Sequence, residues 1–284
     1  MGTAKKNQNK APWEEPVYEL PEHARLRYEL RGCFEGRSNL IVLGPKGVGK
    51  TFIVKKILAE MNDARGDALV EAMGADGSIP TTQVPKAEYY MMGEATGRKT
   101  ALVVLARHFL KLETSPLNRK DVNEILDLLA DHFTAEGIRL LVVDEFEHMD
   151  SNNLDQVRQL IDVTRDREHP FGLCLVGTPE ARDDLRKTGE IGQRYTDVVE
   201  IPKMGTLEVE EALPDLHPDL KKLMEDLPAK EWRRLSNSAA IRTNGLLRRL
   251  YALVRKADRL ARHNGRDIDA EIFATAIRHL APDD

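Results

Sequence analysis

Cysteine is nearly missing: Cys33 and Cys174 are the only two in 284 residues. One falls on a helix expected at 21–35 and the other in the apolar run FGLCLVG, so buried, reduced thiols are expected rather than a disulfide or a cysteine-held metal. No apolar run approaches the length of a membrane-spanning helix. The opening residues MGTAKKNQNKAPWEEP lack the apolar core of a signal peptide, and the chain is expected in the cytoplasm. A basic excess is also missing. Against 42 Lys and Arg stand 47 Asp and Glu, a net charge of -5, which argues against a surface coated for nucleic acid but leaves room for a local basic face. Aromatics make up 5% of the chain, and neither an internal repeat nor a low-complexity tract interrupts it. With 41% hydrophobic and 31% charged residues, the composition is that of an ordinary globular protein, long enough for one large or two modest domains.

The pattern along the chain changes once. Residues 1–16 are polar and proline-punctuated and read as a flexible arm. From 17 to 204, apolar strands alternate with amphipathic helices. Strands are expected at 39–43, 67–73, 138–143, 172–176 and 197–201, and helices at 21–35, 50–62, 100–112, 120–136, 153–167 and 179–187. The glycine- and proline-bearing stretch from 74 to 100 reads as a long loop. Continuous apolar runs such as IRLLVV suit strands covered on both faces, so this alternation predicts an α/β domain with a five-stranded parallel sheet. From 205 to 284 only helical spacing remains, which predicts a small all-α domain.

Residues 44–51, GPKGVGKT, match G-x-x-x-x-G-K-[ST] in full, with an apolar strand before and an amphipathic helix after. Glycines let successive N–H groups point at phosphate oxygens, and the helix N-terminus adds a favourable dipole. Lys50 reaches the β- and γ-phosphates and Thr51 can ligand magnesium. IRLLVV ends in Asp144-Glu145. At the carboxyl end of a parallel strand beside the glycine loop, Asp144 can hold hydrated magnesium and Glu145 can polarise an attacking water, which favours a hydrolase.

Three further residues have two readings each. Thr178, after the next strand, is either a helix N-cap before Pro179-Glu180 or a hydrogen-bond partner of the water or γ-phosphate. Arg194 in IGQRYTDVVEI is either a surface arginine or a residue that reaches a neighbouring subunit's nucleotide in trans. Arg248 in GLLRRLYALVRKA can touch the γ-phosphate, with Arg249 beside it on a solvated face. The helix that follows is rich in Arg and Lys and can face DNA or an acidic neighbour.

In their order and spacing these residues resemble the AAA+ ATPases: GPKGVGKT the Walker A loop, LLVVDE Walker B, Thr178 sensor 1, Arg194 the arginine finger and GLLR sensor 2. The segments VGTPEARDDLRKTGEIGQRYTDVVEIPKM and GLLRRLYALVRKADRLARHNGRDIDAEIF are similar to the TnsC/TniB branch of transposition ATPases, relatives of MuB. The resemblance implies an AAA+ P-loop domain followed by a helical lid. ATP and Mg2+ are its implied cofactors. Gly44, Pro45, Lys46, Gly47, Val48, Gly49, Lys50, Thr51, Phe52 and Arg248 would hold the nucleotide, and Thr51 and Asp144 the metal. Glu145, Thr178 and Arg194 would carry hydrolysis.

The implied partners are other copies of the chain in a ring or helical filament, and double-stranded DNA bound without sequence preference. A transposase and a target-selection protein complete them, with no membrane. DNA contacts in that branch follow the second strand, where this chain has Lys86, Arg98, Lys99 and Thr100. Replication initiators and helicase loaders share the skeleton and give the alternative. A chaperone-like ATPase would carry an aromatic threading loop, for which Tyr89-Tyr90 is the candidate without the usual aromatic-hydrophobic-glycine form. A nucleotide-locked scaffold that scarcely hydrolyses ATP is the non-enzymatic alternative.

Overall fold

The computed structural model describes residues 16–72, 85–93, 100–182, 185 and 197–281. The chain divides into two compact units. An α/β unit takes Pro21–Gly44 and Lys50–Ile201, and a helical unit takes Met1–Leu20, Pro45–Gly49 and Pro202–Asp284.

In the α/β unit the apolar runs become strands. β1 (Leu40–Leu43) and β4 (Gly172–Gly177) are buried along their whole length, and β3 (Ile138–Asp144) at all but one position. With β2 (Lys86–Met91) and β5 (Asp197–Glu200) they form one parallel sheet in the order β2-β3-β4-β1-β5. Burial on both faces is what a parallel sheet flanked by helices requires. The helices are α1 (Pro21–Gly36), α2 (Lys50–Ala72), α3 (Thr100–Leu110), α4 (Thr114–Arg119), α5 (Val122–Glu136) and α6 (Ser151–Asp166). Leu102, Leu105, Leu129 and Phe133 from the helices pack with Leu141, Val143, Phe171 and Leu173 from the sheet and its edges. Phe133 meets Phe109 and Phe171 edge-to-face, with centroids 5.2 and 5.1 Å apart, the arrangement that aromatic quadrupoles favour. Helix α5 begins with a reciprocal Asp121–Glu124 capping box and ends on Gly137 at φ 66°, satisfying backbone groups at both ends.

The second strand is not where hydrophobicity predicted it. Residues 67–72 continue helix α2, because Ala68, Leu69, Glu71 and Ala72 are strong helix formers. The strand lies instead at Lys86–Met91, inside the stretch expected to be loop. Its lysine and glutamate are depleted in strands generally, but among the described residues β2 is a sheet edge that pairs with β3 alone. Its outer side is covered at one point. The Asn62 amide donates to the Ala87 carbonyl (3.0 Å) and accepts from its N–H (3.2 Å), closing an edge that would otherwise invite pairing. Most of the helix expected at 179–187 falls outside the described residues.

The helical unit contains α7 (Thr206–Leu216), α8 (Pro218–Asp226), α9 (Ala229–Thr243), α10 (Leu247–His263) and α11 (Ala270–Arg278). Helix α7 runs through Pro214. In α10 one stripe, Leu247, Leu250, Leu253, Val254, Ala257 and Ala261, is buried, as helical periodicity demands. The turn into α10 is tight. Gly245 sits at φ 64°, its carbonyl accepts from Met204 N–H (2.9 Å), and a Cβ there would stand 2.1 Å from the Met204 oxygen. Only glycine fits such a position.

Candidate functional site

Strand β1 ends at Leu43, whose carbonyl accepts from Ile201 N–H (2.7 Å), and Gly44 N–H donates to Gly177 O (3.2 Å). The chain therefore leaves the sheet at Gly44, between the carboxyl ends of β4 and β5, at the edge where α/β sheets bind ligands. Gly47 (φ 87°) and Gly49 (φ 100°) take backbone angles closed to other residues. Val48 is buried, and Lys46 and Phe52 are exposed. The loop runs directly into α2 at Lys50. Lys50 is 8% exposed, with Nζ 2.6 Å from the Gly44 carbonyl oxygen, so its ammonium is held at the carboxyl end of β1.

Asp144, at the carboxyl end of β3, is 2% exposed. Its Oδ2 accepts from Thr51 Oγ1 at 2.6 Å and from Tyr89 Oη at 2.8 Å, and its Oδ1 from Glu145 N–H at 2.8 Å. All three donors are neutral. Thr51 and Asp144, 93 residues apart in sequence, thus present hard oxygen atoms to one point, the ligand chemistry that magnesium selects. Among the described residues no group of three His, Cys, Asp or Glu could hold a metal, so a magnesium ion here would draw further ligands from water and phosphate, as it commonly does.

Glu145 follows in the left-handed region at φ 58°, ψ 39°, with its carboxylate 45% exposed and Oε2 3.9 Å from His148 Nε2. A non-glycine residue in that conformation is strained, and such strain gathers at functional positions. Behind it, Gly177 leaves room for the turn Phe146–His148: a Cβ on Gly177 would stand 2.5 Å from the Phe146 ring. Thr178 is half-buried after β4, and its carbonyl accepts from Ala181 N–H (3.2 Å).

Comparison with protein-family models matches the AAA domain over residues 33–185, more than half of the chain. This chain is a member of that family. Its sheet, loop and acidic strand end are those of an AAA+ P-loop fold. A search of curated protein sequences finds no match to this AAA domain chain. Among solved structures it is similar to the Aeropyrum pernix ORC2 protein in ADPNP-ADP complexes, at TM-score 0.68 and 16% identity over 97% of this chain and 72% of that one. It is also similar to Cdc6p of Pyrobaculum aerophilum, at TM-score 0.63 and 17% identity over 95% and 70%. The Aeropyrum pernix ORC1 protein in complex with DNA follows at TM-score 0.58 and 18% identity over 90% and 63%. At these identities the likeness is one of fold.

The remaining sequence candidates of the AAA domain chain divide. Arg194, Arg98 and Lys99 lie outside the described residues, and Thr100 opens helix α3. Lys86 is on β2, in ion pairs with Glu88 and with Glu136 (3.8 Å). Arg248 is exposed, and its N–H donates to the Gly47 carbonyl (2.9 Å). On the basic helix α10, Arg249 donates to the carbonyls of Arg242 (3.0 Å) and Ala281 (2.6 Å), Lys256 to that of His279, and Arg262 pairs with Asp258 (2.8 Å). Arg249 and Lys256 of that basic face thus hold the helical unit's own C-terminal segment. Tyr89 and Tyr90 are strand residues, not a threading loop. Spacing alone missed Tyr89, because its contact depends on a strand that hydropathy did not find. Burial, followed by the hydrogen bond to Asp144, pushes the Tyr89 hydroxyl up in pKa, so it stays a donor. Among the described residues no helix is long and apolar enough to cross a membrane.

Proposed function

We propose that the chain is an ATP hydrolase of the AAA+ type, which assembles with ATP on double-stranded DNA and marks a target for a transposase. The observation that carries the hydrolase is the meeting of Thr51 and Asp144 at 2.6 Å, with Lys50 and Glu145 each adjacent in the chain. In this reading backbone N–H groups between Lys46 and Thr51 bind the phosphates, and Lys50 compensates their charge. Thr51 and Asp144 hold Mg2+, which when bound neutralises charge on the transferring phosphoryl group. Glu145, exposed and next to that carboxylate, orients and deprotonates the attacking water. Arg248 answers the γ-phosphate from the start of α10, Thr178 aligns the water, and Arg194 acts on a neighbouring copy's nucleotide in trans. Phe52, 54% exposed, belongs to the nucleotide's surroundings.

DNA binding and transposition rest on the resemblance of residues 176–204 and 245–273 to the TnsC/TniB branch, with Arg98, Lys99, Thr100 and Lys86 as phosphate contacts. The likeness in fold to the ORC2, ORC1 and Cdc6p structures favours a second reading, a replication initiator or helicase loader.

The test is ATP turnover with and without duplex DNA at low salt, for the native chain and for Glu145→Gln. Stimulation by DNA, lost in Glu145→Gln with nucleotide binding retained, is the expected result. Equal, negligible rates in both would make the chain a nucleotide-locked scaffold. Mixing Arg194→Ala with Lys50→Ala should restore part of the activity that each lacks alone, and no rescue at any ratio refutes action in trans. Capture of a transposase rather than a replicative helicase separates the two processes.

A further inference from the structure

Asp144 accepts three hydrogen bonds, and the donors differ in what else they must do. Glu145 N–H is fixed by the backbone and holds Oδ1. Thr51 Oγ1 shares Oδ2 but is also the side chain assigned above as a metal ligand. Tyr89 Oη, 2.8 Å from the same Oδ2, also interacts with the Thr51 hydroxyl, so it reaches both side chains assigned to the metal. Its ring is itself located, because Lys55 of α2 places Nζ 4.5 Å from the ring centroid, a favourable cation–π contact. The strand that carries Tyr89 is paired in register with β3, with Tyr89 opposite Val142 and Met91 opposite Asp144. The torsion that turns an aspartate's carboxylate is broad, so one donor at each oxygen is what sets its plane.

We infer that Tyr89 is a positioning residue for the metal site: its hydroxyl holds Oδ2 of Asp144 in the orientation in which that carboxylate and Thr51 together receive a divalent cation. The inference rests on the assignment of Thr51 and Asp144 to magnesium in the preceding section. It adds a residue outside the glycine loop and the acidic strand end, on the edge strand, that governs metal affinity rather than nucleotide affinity. Partners of this kind, one step removed from the metal, typically change metal affinity or activity by about 10- to 100-fold when removed.

Tyr89→Phe deletes the hydroxyl and keeps the ring under Lys55. Binding of a fluorescent ATP analogue is measured in EDTA and then across a MgCl2 titration, with turnover followed over the same titration. The expected result is a metal-free nucleotide affinity within about twofold of the native chain, and a half-saturating Mg2+ concentration raised about tenfold or more. An unchanged Mg2+ midpoint overturns the inference and leaves the nucleotide site standing. A parallel loss of metal-free affinity also overturns it, because that is the signature of a strand merely loosened. A native chain that binds the analogue no better with Mg2+ than without overturns the assignment beneath it, and the inference with it.

Discussion

Gly245 and Gly265 share a backbone conformation and differ in surroundings, so the pair separates strain from collision. Their φ angles are 64° and 65°. A Cβ on Gly265 meets nothing within 4 Å, whereas one on Gly245 would stand 2.1 Å from the Met204 oxygen and 3.0 Å from its carbon. Placing alanine in the left-handed region costs about 1 kcal/mol at either site. At Gly245 the backbone must also move by about 0.9 Å, since the 2.1 Å approach lies that far below the 3.0 Å that real contacts keep. That movement breaks the Met204 N–H bond to the Gly245 carbonyl, worth about another 1 kcal/mol, and spoils packing around it. The expected losses are therefore about 1 kcal/mol for Gly265→Ala and about 3 kcal/mol or more for Gly245→Ala. Urea unfolding followed by Trp232 fluorescence reads the helical unit, because Trp232 is buried on α9. A Trp13→Phe background removes the other indole. Losses that agree to within about 0.5 kcal/mol would refute the reasoning, since additive effects are measured to that precision.

Two other consequences can be measured on the α/β unit. Asn153 is fully buried and its Oδ1 accepts from Ala101 N–H (2.9 Å) at the start of α3. Asn153→Ala leaves that N–H without its acceptor and should cost about 1–3 kcal/mol in equilibrium unfolding, while an unchanged midpoint would mean the helix start has another partner. Burial holds the thiols of Cys174 and Cys33 above the ordinary cysteine pKa. A folded pKa above the unfolded one makes stability level below pH 9 and falling as pH rises beyond it, because the unfolded chain releases protons that the folded sheet retains. Melting temperatures from pH 7 to 10.5 should show the fall, and Cys174→Ala should flatten it; an equal slope in the variant would assign the fall to other groups.

Much of the α/β unit was legible because its signals are local. Runs such as IRLLVV and FGLCLVG are apolar on both faces and can only be central strands, and they are β3 and β4. GPKGVGKT carries its own glycines, and Asp144 follows its run directly, so the two halves of the site could be named before they were seen to meet. Edge strand β2 was illegible because pairing with one neighbour and the Asn62 amide, not hydrophobicity, makes KAEYYM a strand. The reverse error, a strand expected at 67–73, came from reading apolar content where helix propensity decides. The strain at Glu145 and the clearance at Gly177 belong to the packed turn 146–148 and leave no mark in composition.

The two buried thiols also give the molecule clocks. Cys174 lies mid-strand in β4, level with Leu40 of β1 and Val142 of β3, so an alkylating reagent reaches it only when the centre of the sheet parts. Cys33, on α1 with Ser38 Oγ 3.5 Å from its sulfur, opens when that helix peels away, a smaller event with its own frequency. With no other cysteine in the chain, the mass of the labelled protein over time separates the two events. Any ligand or partner that steadies the sheet will register as a slower second addition.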